Sequence, residues 1–359
     1  MATTVSPQQR ALNFGAYTRQ HIQTLGSQTG TALSHIEYEV PKARLMQAIN
    51  LLVEVTLKKE SASTTTLADL NAKMELYNVI RRMSIDYNNG FSPVVASGKD
   101  IAVVNMLRVK SDTVIPTCVV DKSLCTITAP TATKETDDNI TLSSATEIKY
   151  YFMLEVPVTL NDRDPSGLVL AQNGQTLINF ALDISDSVNG VPVDAVKVTP
   201  QIVSFSIPPV ENAFPDLSVL KVLDSRKESF TGGGSNLFKL PTGMIYRKLI
   251  IYLEDENGNP MKPEDITSNF EMLLNTADIP YSINPQMLRL RTTTQTGGRL
   301  PEGYYALDFS CQGTNPNYGG SRDYIDAEQI TTLEIRFTTV KSGKITLISE
   351  KISRLIASK

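Results

Sequence analysis

One pattern of extended segments occurs twice in this chain, about a domain length apart, and it limits the fold to a tandem pair of β-sandwiches. The first copy runs Tyr150-Tyr151-Phe152-Met153-Leu154-Glu155-Val156, then Arg163-Asp164 in a turn-rich link, then Thr176-Leu177-Ile178-Asn179-Phe180. The second runs Tyr304-Tyr305-Ala306-Leu307-Asp308-Phe309, then Arg322-Asp323, then Thr332-Leu333-Glu334-Ile335-Arg336-Phe337. Upstream of each lies one more apolar extended segment, Asn50 to Leu57 and Lys248 to Leu253. Strand alternation sends one ring of each tyrosine pair inward and the other outward.

A chain of 359 residues exceeds what one hydrophobic core usually fills, so two domains are expected. Apolar residues make up 41% and charged residues 20%, which fits a globular protein and excludes a disordered one. No apolar run approaches the roughly 20 residues of a membrane span.

The net charge of −4 gives the surface as a whole no attraction for nucleic acid. Both chain ends are nevertheless mildly basic. No acid occurs from Met1 to Ile36, where Arg10 and Arg19 stand, and the last stretch carries Lys344, Lys351, Arg354 and Lys359 against Glu350. Two readings follow: these ends meet an anionic surface, phospholipid headgroups or packaged DNA, or they are ordinary solvated termini. The three cysteines, Cys118, Cys125 and Cys311, lack metal-binding spacing, and the first residues do not resemble a signal peptide, so folding in a reducing cytoplasm is expected.

Residues 1–35 read as an N-terminal arm in which Ser6 and Pro7 open a short helix. A first domain is expected over 36–207, with prolines at Pro200, Pro208, Pro209 and Pro215 marking the boundary. A second follows over 208–343, then a basic tail over 344–359. Each domain is assigned one helix: Leu67 to Ile80, with Thr66 and Asp69 as a capping box and Arg81 and Arg82 at its C-terminal end, and Pro263 to Ala277. Ile101 to Val109 and Val114 to Val120 read as short strands. Ala129 to Thr146 and Gln312 to Gly320 read as exposed loops, and Thr231-Gly232-Gly233-Gly234-Ser235 as a mobile one.

Catalytic patterns are sparse. His21 and His35 both lie in the arm, away from any strand end that could frame a pocket, so a histidine base is not expected. Asp255-Glu256-Asn257-Gly258-Asn259 begins like a calcium loop, but Pro260 and Ile266 occupy the positions that need glycine and glutamate; a tight turn between strands explains it better. Asp162 and Asp164 sit among Asn161, Pro165 and Gly167, which indicates a turn rather than a carboxylate pair. No cofactor and no metal is expected.

With these features the chain resembles the double jelly-roll major capsid proteins of tectivirus-like tailless icosahedral phages with an internal membrane. The likeness is carried by the two strand-helix units, Leu51 to Ile80 and Leu249 to Ala277. It is carried also by the runs Gly303 to Phe337 and Arg163 to Phe180. The resemblance implies an all-β fold of two tandem jelly-roll β-sandwiches with a few short helices. It implies a structural, non-enzymatic role: pseudo-hexagonal homotrimers tiling an icosahedral shell over an inner membrane, assembled in the host cytoplasm. Expected partners are other copies of the chain, neighbouring trimers, penton and minor capsid proteins, and membrane lipids, without sequence-specific nucleic acid. The expected membrane-facing residues are Arg10, Arg19, Lys351, Arg354 and Lys359. Two rivals are a viral spike or lectin-like carbohydrate-binding sandwich, which needs exposed aromatics at one loop end, and a cupin-like enzyme, which needs interior histidines.

Overall fold

The computed structural model describes residues 7–58, 74–88, 90–108, 119–120, 147–160, 167–170, 177–215, 217–296, 300–309 and 325–354. The chain divides into unit 1 (Met1–Asn105, Ile115–Lys221, Arg354–Lys359) and unit 2 (Met106–Val114, Val222–Ser353).

Unit 1 contains β1 (Gln20–Thr24), β2 (Gln28–Gly30), β3 (His35–Glu39), β4 (Leu45–Lys58), β5 (Ile80–Tyr87), β6 (Phe91–Ala96), β7 (Val119–Val120), β8 (Glu147–Pro157), β9 (Ile178–Ile184), β10 (Ser187–Val188) and β11 (Val191–Phe205). One sheet runs β1-β11-β4-β8-β7, with β2 and β10 also on β11; the other runs β6-β5-β9-β3. Alternation builds the core: Leu51, Val53, Val55 and Leu57 of β4 and Tyr150, Phe152, Leu154 and Val156 of β8 are all buried. The two layers are tied by Tyr38 of β3, whose hydroxyl donates to the Val198 carbonyl of β11 at 2.7 Å.

Unit 2 contains β12 (Val219–Phe230), β13 (Ser235–Leu240), β14 (Ile245–Asp255), β15 (Phe270–Leu274), β16 (Asp278–Ile283), β17 (Tyr304–Asp308), β18 (Ile325–Asp326), β19 (Leu333–Thr338) and β20 (Gly343–Arg354). Its sheets run β17-β14-β20-β12, with β18 on β14, and β13-β19-β15-β16. Tyr246, Leu249, Ile251 and Leu253 of β14 face Phe270 and Met272 of β15 and Phe337 of β19 in one apolar cluster. Phe337 stacks on Phe238 with centroids 5.5 Å apart and meets Phe270 edge-on at the same distance.

Successive strands pass back and forth between the two sheets of each unit in the same order, which is jelly-roll connectivity carried out twice. Three helices accompany the strands: α1 (Pro7–Tyr17), α2 (Gly98–Arg108) and α3 (Pro285–Thr296). The last two occupy the same place in the two units, after β6 and after β16. The strand echoes read from the sequence correspond to β4 and β14, β8 and β17, and β9 and β19.

Several local expectations are corrected. Residues 74–80 of the first expected helix form a turn at Met74, a 3-10 stretch over Glu75–Val79 and the start of β5, so Arg81 and Arg82 lie on a strand paired with β9. Residues 66–73 lie outside the described residues. The second expected helix is a 3-10 turn over Pro263–Asp265 followed by β15; its apolar residues follow period two, with Phe270 and Met272 in the core. Ser268 also diverts its hydroxyl to accept from the Thr338 amide at 2.8 Å, a side-chain bond that competes with helix formation. Conversely, Ile101 to Arg108 is helical, not extended. Residues 98–107 are buried on all sides, so no amphipathic period marks the helix.

The segment expected to stand before the first domain is instead stitched into it: β1 and β2 pair with β11 from Gln20 to Gly30. Likewise Gly343–Arg354 of the expected tail forms β20, paired along β14. The glycine-rich loop is held down, with Gly232 N donating to Ser342 Oγ at 3.1 Å and Gly233 N to the Thr339 carbonyl at 2.8 Å. A Cβ on Gly232 would lie 2.6 Å from the Val340 carbonyl oxygen, so only glycine permits this approach. Gly258 at φ 77° completes the turn expected after Asp255.

Phe337→Ala removes the ring that three other phenylalanines pack against, and it should cost about 3–5 kcal/mol in urea unfolding. A loss below about 1 kcal/mol would contradict this placement of the core.

Candidate functional site

The expected contact residues separate in the structure. Arg10 and Arg19 are exposed at the two ends of the segment holding α1. That helix begins at Pro7, as its sequence suggests, and is seated by Phe14, which meets Phe205 edge-on at 5.2 Å. Arg19 is fixed by its backbone: its amide donates to Ser206 Oγ at 2.9 Å and its carbonyl accepts from the Ser206 amide at 3.0 Å. The apolar side chains of Leu12, Tyr17 and Ile22 are exposed between and beside the two arginines.

Lys351 is a correction. Its side chain points toward the core side of β20 and is buried; its ammonium lies 2.9 Å from Asp224 Oδ1 and 5.7 Å from the Tyr246 ring centroid. Ser349 donates to the same carboxylate. A lysine spent on an internal partner cannot meet an outside surface. The side chain of Arg354 and all of Lys359 lie outside the described residues, as do the three cysteines, Asp162, Asp164 and both long loops.

The densest charge in unit 2 lies on the other face of the same sheet. Asp308, Lys248 and Glu350 form one cross-strand row over β17, β14 and β20. Lys248 Nζ is 3.2 Å from Asp308 Oδ2 and donates to the Leu107 carbonyl at 3.4 Å, while Arg247 Nε is 3.7 Å from Glu350 Oε1. Burial by itself would lower the Lys248 pKa, but Asp308 and Glu350 outweigh it and hold the ammonium above its ordinary value of 10.5. Its stabilising contribution is therefore complete throughout the neutral range and is lost only as pH rises beyond the ordinary lysine range. Sequence reading missed this row because its members are far apart in the chain and meet only through strand register.

Neither histidine meets a nucleophile. His35 Nδ1 lies 2.7 Å from Asp183 Oδ1 as an exposed cross-strand pair between β3 and β9, and His21 lies on β1. Asp255 Oδ1 accepts from the amides of Asn257 at 2.9 Å and Asn259 at 2.8 Å, so this carboxylate is spent on its own turn. Among the aromatics, Tyr150 is buried and Tyr151 exposed, as alternation requires, but Tyr304 and Tyr305 are both buried. Tyr304 stacks on Tyr252 with centroids 4.4 Å apart. The second unit therefore presents no outward tyrosine from this strand to stack on a sugar.

No protein-family model and no curated protein matches the sequence. Solved structures do match the fold. The chain is similar to the STIV MCP in its crystal structure, with a TM-score of 0.67 at 11% identity, covering 94% of this chain and 97% of that one. It is similar to a chain of the PBCV-1 virus capsid, with a TM-score of 0.61 at 9% identity, covering 94% of each. It is also similar to the major capsid protein P2 from Bacteriophage PM2, with a TM-score of 0.56 at 11% identity, covering 94% of this chain and 98% of that one. Each match spans nearly the whole length of both chains, so the likeness includes both jelly rolls.

Lys248→Ala leaves two buried carboxylates without the ammonium between them. Equilibrium unfolding should show a loss of about 3–5 kcal/mol at neutral pH, and a loss below about 1 kcal/mol would contradict the row's role.

Proposed function

We propose that this chain is the major capsid protein of an icosahedral virus, a shell-building unit without catalysis. The observation that carries the reading is the doubled jelly roll itself, matched along nearly the full length by capsid chains. A chain holding two similar sandwiches supplies two corners of a hexagon, so three copies make a pseudo-hexagonal homotrimer and trimers tile a facet. Contacts within the trimer bury apolar sheet and helix faces, whereas contacts between trimers are smaller and more polar. Penton and minor capsid proteins fill the positions that a six-sided unit cannot. A tailless, membrane-containing phage of the tectivirus-like type is the host structure we favour, with folding in the host cytoplasm and residence in the virion.

The exposed arginines of the α1 segment support a second part of the proposal. Arg10 and Arg19, with the exposed apolar side chains of Leu12, Tyr17 and Ile22, suit an anionic lipid headgroup layer beneath the shell. Arg354 and Lys359 add to the same charge from the other chain end. Deleting this segment would also remove β1 and β2 from their sheet, so charge reversal is the cleaner probe.

Electron microscopy of negatively stained purified protein should show six-sided particles that pack edge to edge into flat plates. Single-chain globules at every concentration would contradict the assembly reading. Reversing Arg10 and Arg19 together to glutamate should weaken cosedimentation with anionic vesicles about tenfold or more and leave neutral vesicles unaffected. Unchanged binding would remove lipid from the list of partners.

A further inference from the structure

The two units can be aligned residue by residue through the helices that follow β6 and β16. Asn105 and Thr292 are each the eighth residue of their helix, and both are buried. The Asn105 carboxamide donates to the Glu155 carbonyl at 2.7 Å and accepts from the Glu155 amide at 2.9 Å. Thr292 Oγ1 donates to the Ala306 carbonyl at 3.4 Å. Glu155 of β8 therefore corresponds to Ala306 of β17, and strand register carries the match to the neighbours: Asn50 to Ile250, Leu52 to Tyr252 and Met153 to Tyr304.

Corresponding positions differ in one respect. On the side of the sheet turned away from the core, Tyr252 and Tyr304 of unit 2 are 5% and 1% exposed, and Ile250, Ala306 and Ile348 are buried with them. Their counterparts in unit 1, Leu52 and Met153, are 40% and 58% exposed, and Tyr151 beside them is 48% exposed. The helices differ in the opposite sense. Residues 98–107 of α2 are buried on all sides, including Val103, Val104 and Leu107. On α3 the matching side is open: Met287 is 66% and Leu290 58% exposed, with Arg291 and Thr294 exposed along the same stripe.

The last residues of α2 belong to unit 2, where the Leu107 carbonyl accepts from Lys248 on the outward face of β14. One helix end and one outward sheet face are thus joined and dry. One helix face and one outward sheet face of the same kind remain wet, and each presents large apolar side chains where a monomer would place polar ones. They lie on different units, so a second copy of the chain can supply what each lacks.

We infer that the Met287–Leu290 face of α3 in one copy docks on the Leu52–Met153–Tyr151 face of unit 1 in the next copy, repeating between chains the helix-on-sheet contact made at Lys248 and Leu107. The contact is heterologous, so each copy offers one donor face and one acceptor face and a ring can close. This inference rests on the self-assembly reading above and names the surfaces that would carry it. The occupant is another copy of this chain, because the missing partner of each open face is the kind of surface the chain itself already presents.

The test is sedimentation velocity on the full chain and three variants: Met153→Asp, Leu290→Asp, and Val340→Asp in an exposed turn as control. The wild type and the control should sediment as three-chain species. Met153→Asp and Leu290→Asp should each shift to a single chain with unchanged melting temperature, since both side chains are exposed in the free chain. An equimolar mixture of the two should form a two-chain species, because one variant keeps its helix face and the other keeps its sheet face. Variants that remain three-chain, or a mixture that stays single-chain, would overturn the surface assignment while the assembly reading stood. A wild type that is single-chain at every concentration would overturn the assembly reading, and this inference with it. If an aspartate variant melts early, Met153→Ala and Leu290→Ala replace it, with at least a tenfold weaker association expected and unchanged association counting against the assignment.

Discussion

A β-sheet exposes unpaired amides and carbonyls along its outer strands, and what is done with that edge determines much of this molecule. In both units the helix before the outer strand is turned against it by one buried polar side chain. Asn105 imitates a neighbouring strand, giving and taking one hydrogen bond with Glu155, and Thr292 covers the Ala306 carbonyl while also donating to Leu288 within its own helix. Once a helix is held in that position, its far side must face outward along the sheet. The outward faces of β8 and β17 and of the two helices are consequences of this seal, and they are the surfaces on which assembly turns.

The strand plan was legible in the sequence because it depends on period-two alternation, which survives even where identity between the halves is low. The β4, β8 and β9 segments and their counterparts could be picked out directly, and with them the duplicated sandwich. The helices were not legible for two opposite reasons. Leu67 to Ile80 and Pro263 to Ala277 have helical spacing by coincidence, since their apolar residues serve turns and strands. Ile101 to Leu107 is helical but buried all round, so it has no polar face to set a period. Its start was nevertheless written in Ser97 and Asp100, whose side chains bond each other's amides at 3.2 and 3.0 Å in a capping box.

Charge shows the same limit. Counting basic residues near the chain ends drew attention to Arg10 and Arg19, which the fold leaves exposed, and equally to Lys351, which the fold pairs with Asp224 inside unit 2. The row Asp308–Lys248–Glu350 could not be foreseen, and its counterpart in unit 1 is the uncharged row Pro157–Ala48–Val203. The ionic row therefore marks unit 2 alone, at the place where the helix end at Leu107 is received. The apolar residues Leu52 and Met153 could have been flagged, since alternation along β4 and β8 puts them outward where polar residues are usual.

The central claim is that two apolar faces, one on each unit, are open in the single chain and closed by another copy. Two methionines report on them without any substitution. Met153 and Met287 are the exposed probes, and Met83 and Met272 are buried references. Hydroxyl-radical footprinting read by mass spectrometry should oxidise Met153 and Met287 in dilute protein and spare both once the chain assembles, with Met83 and Met272 protected throughout. Equal oxidation of Met153 and Met287 in the dilute and assembled states would contradict the account.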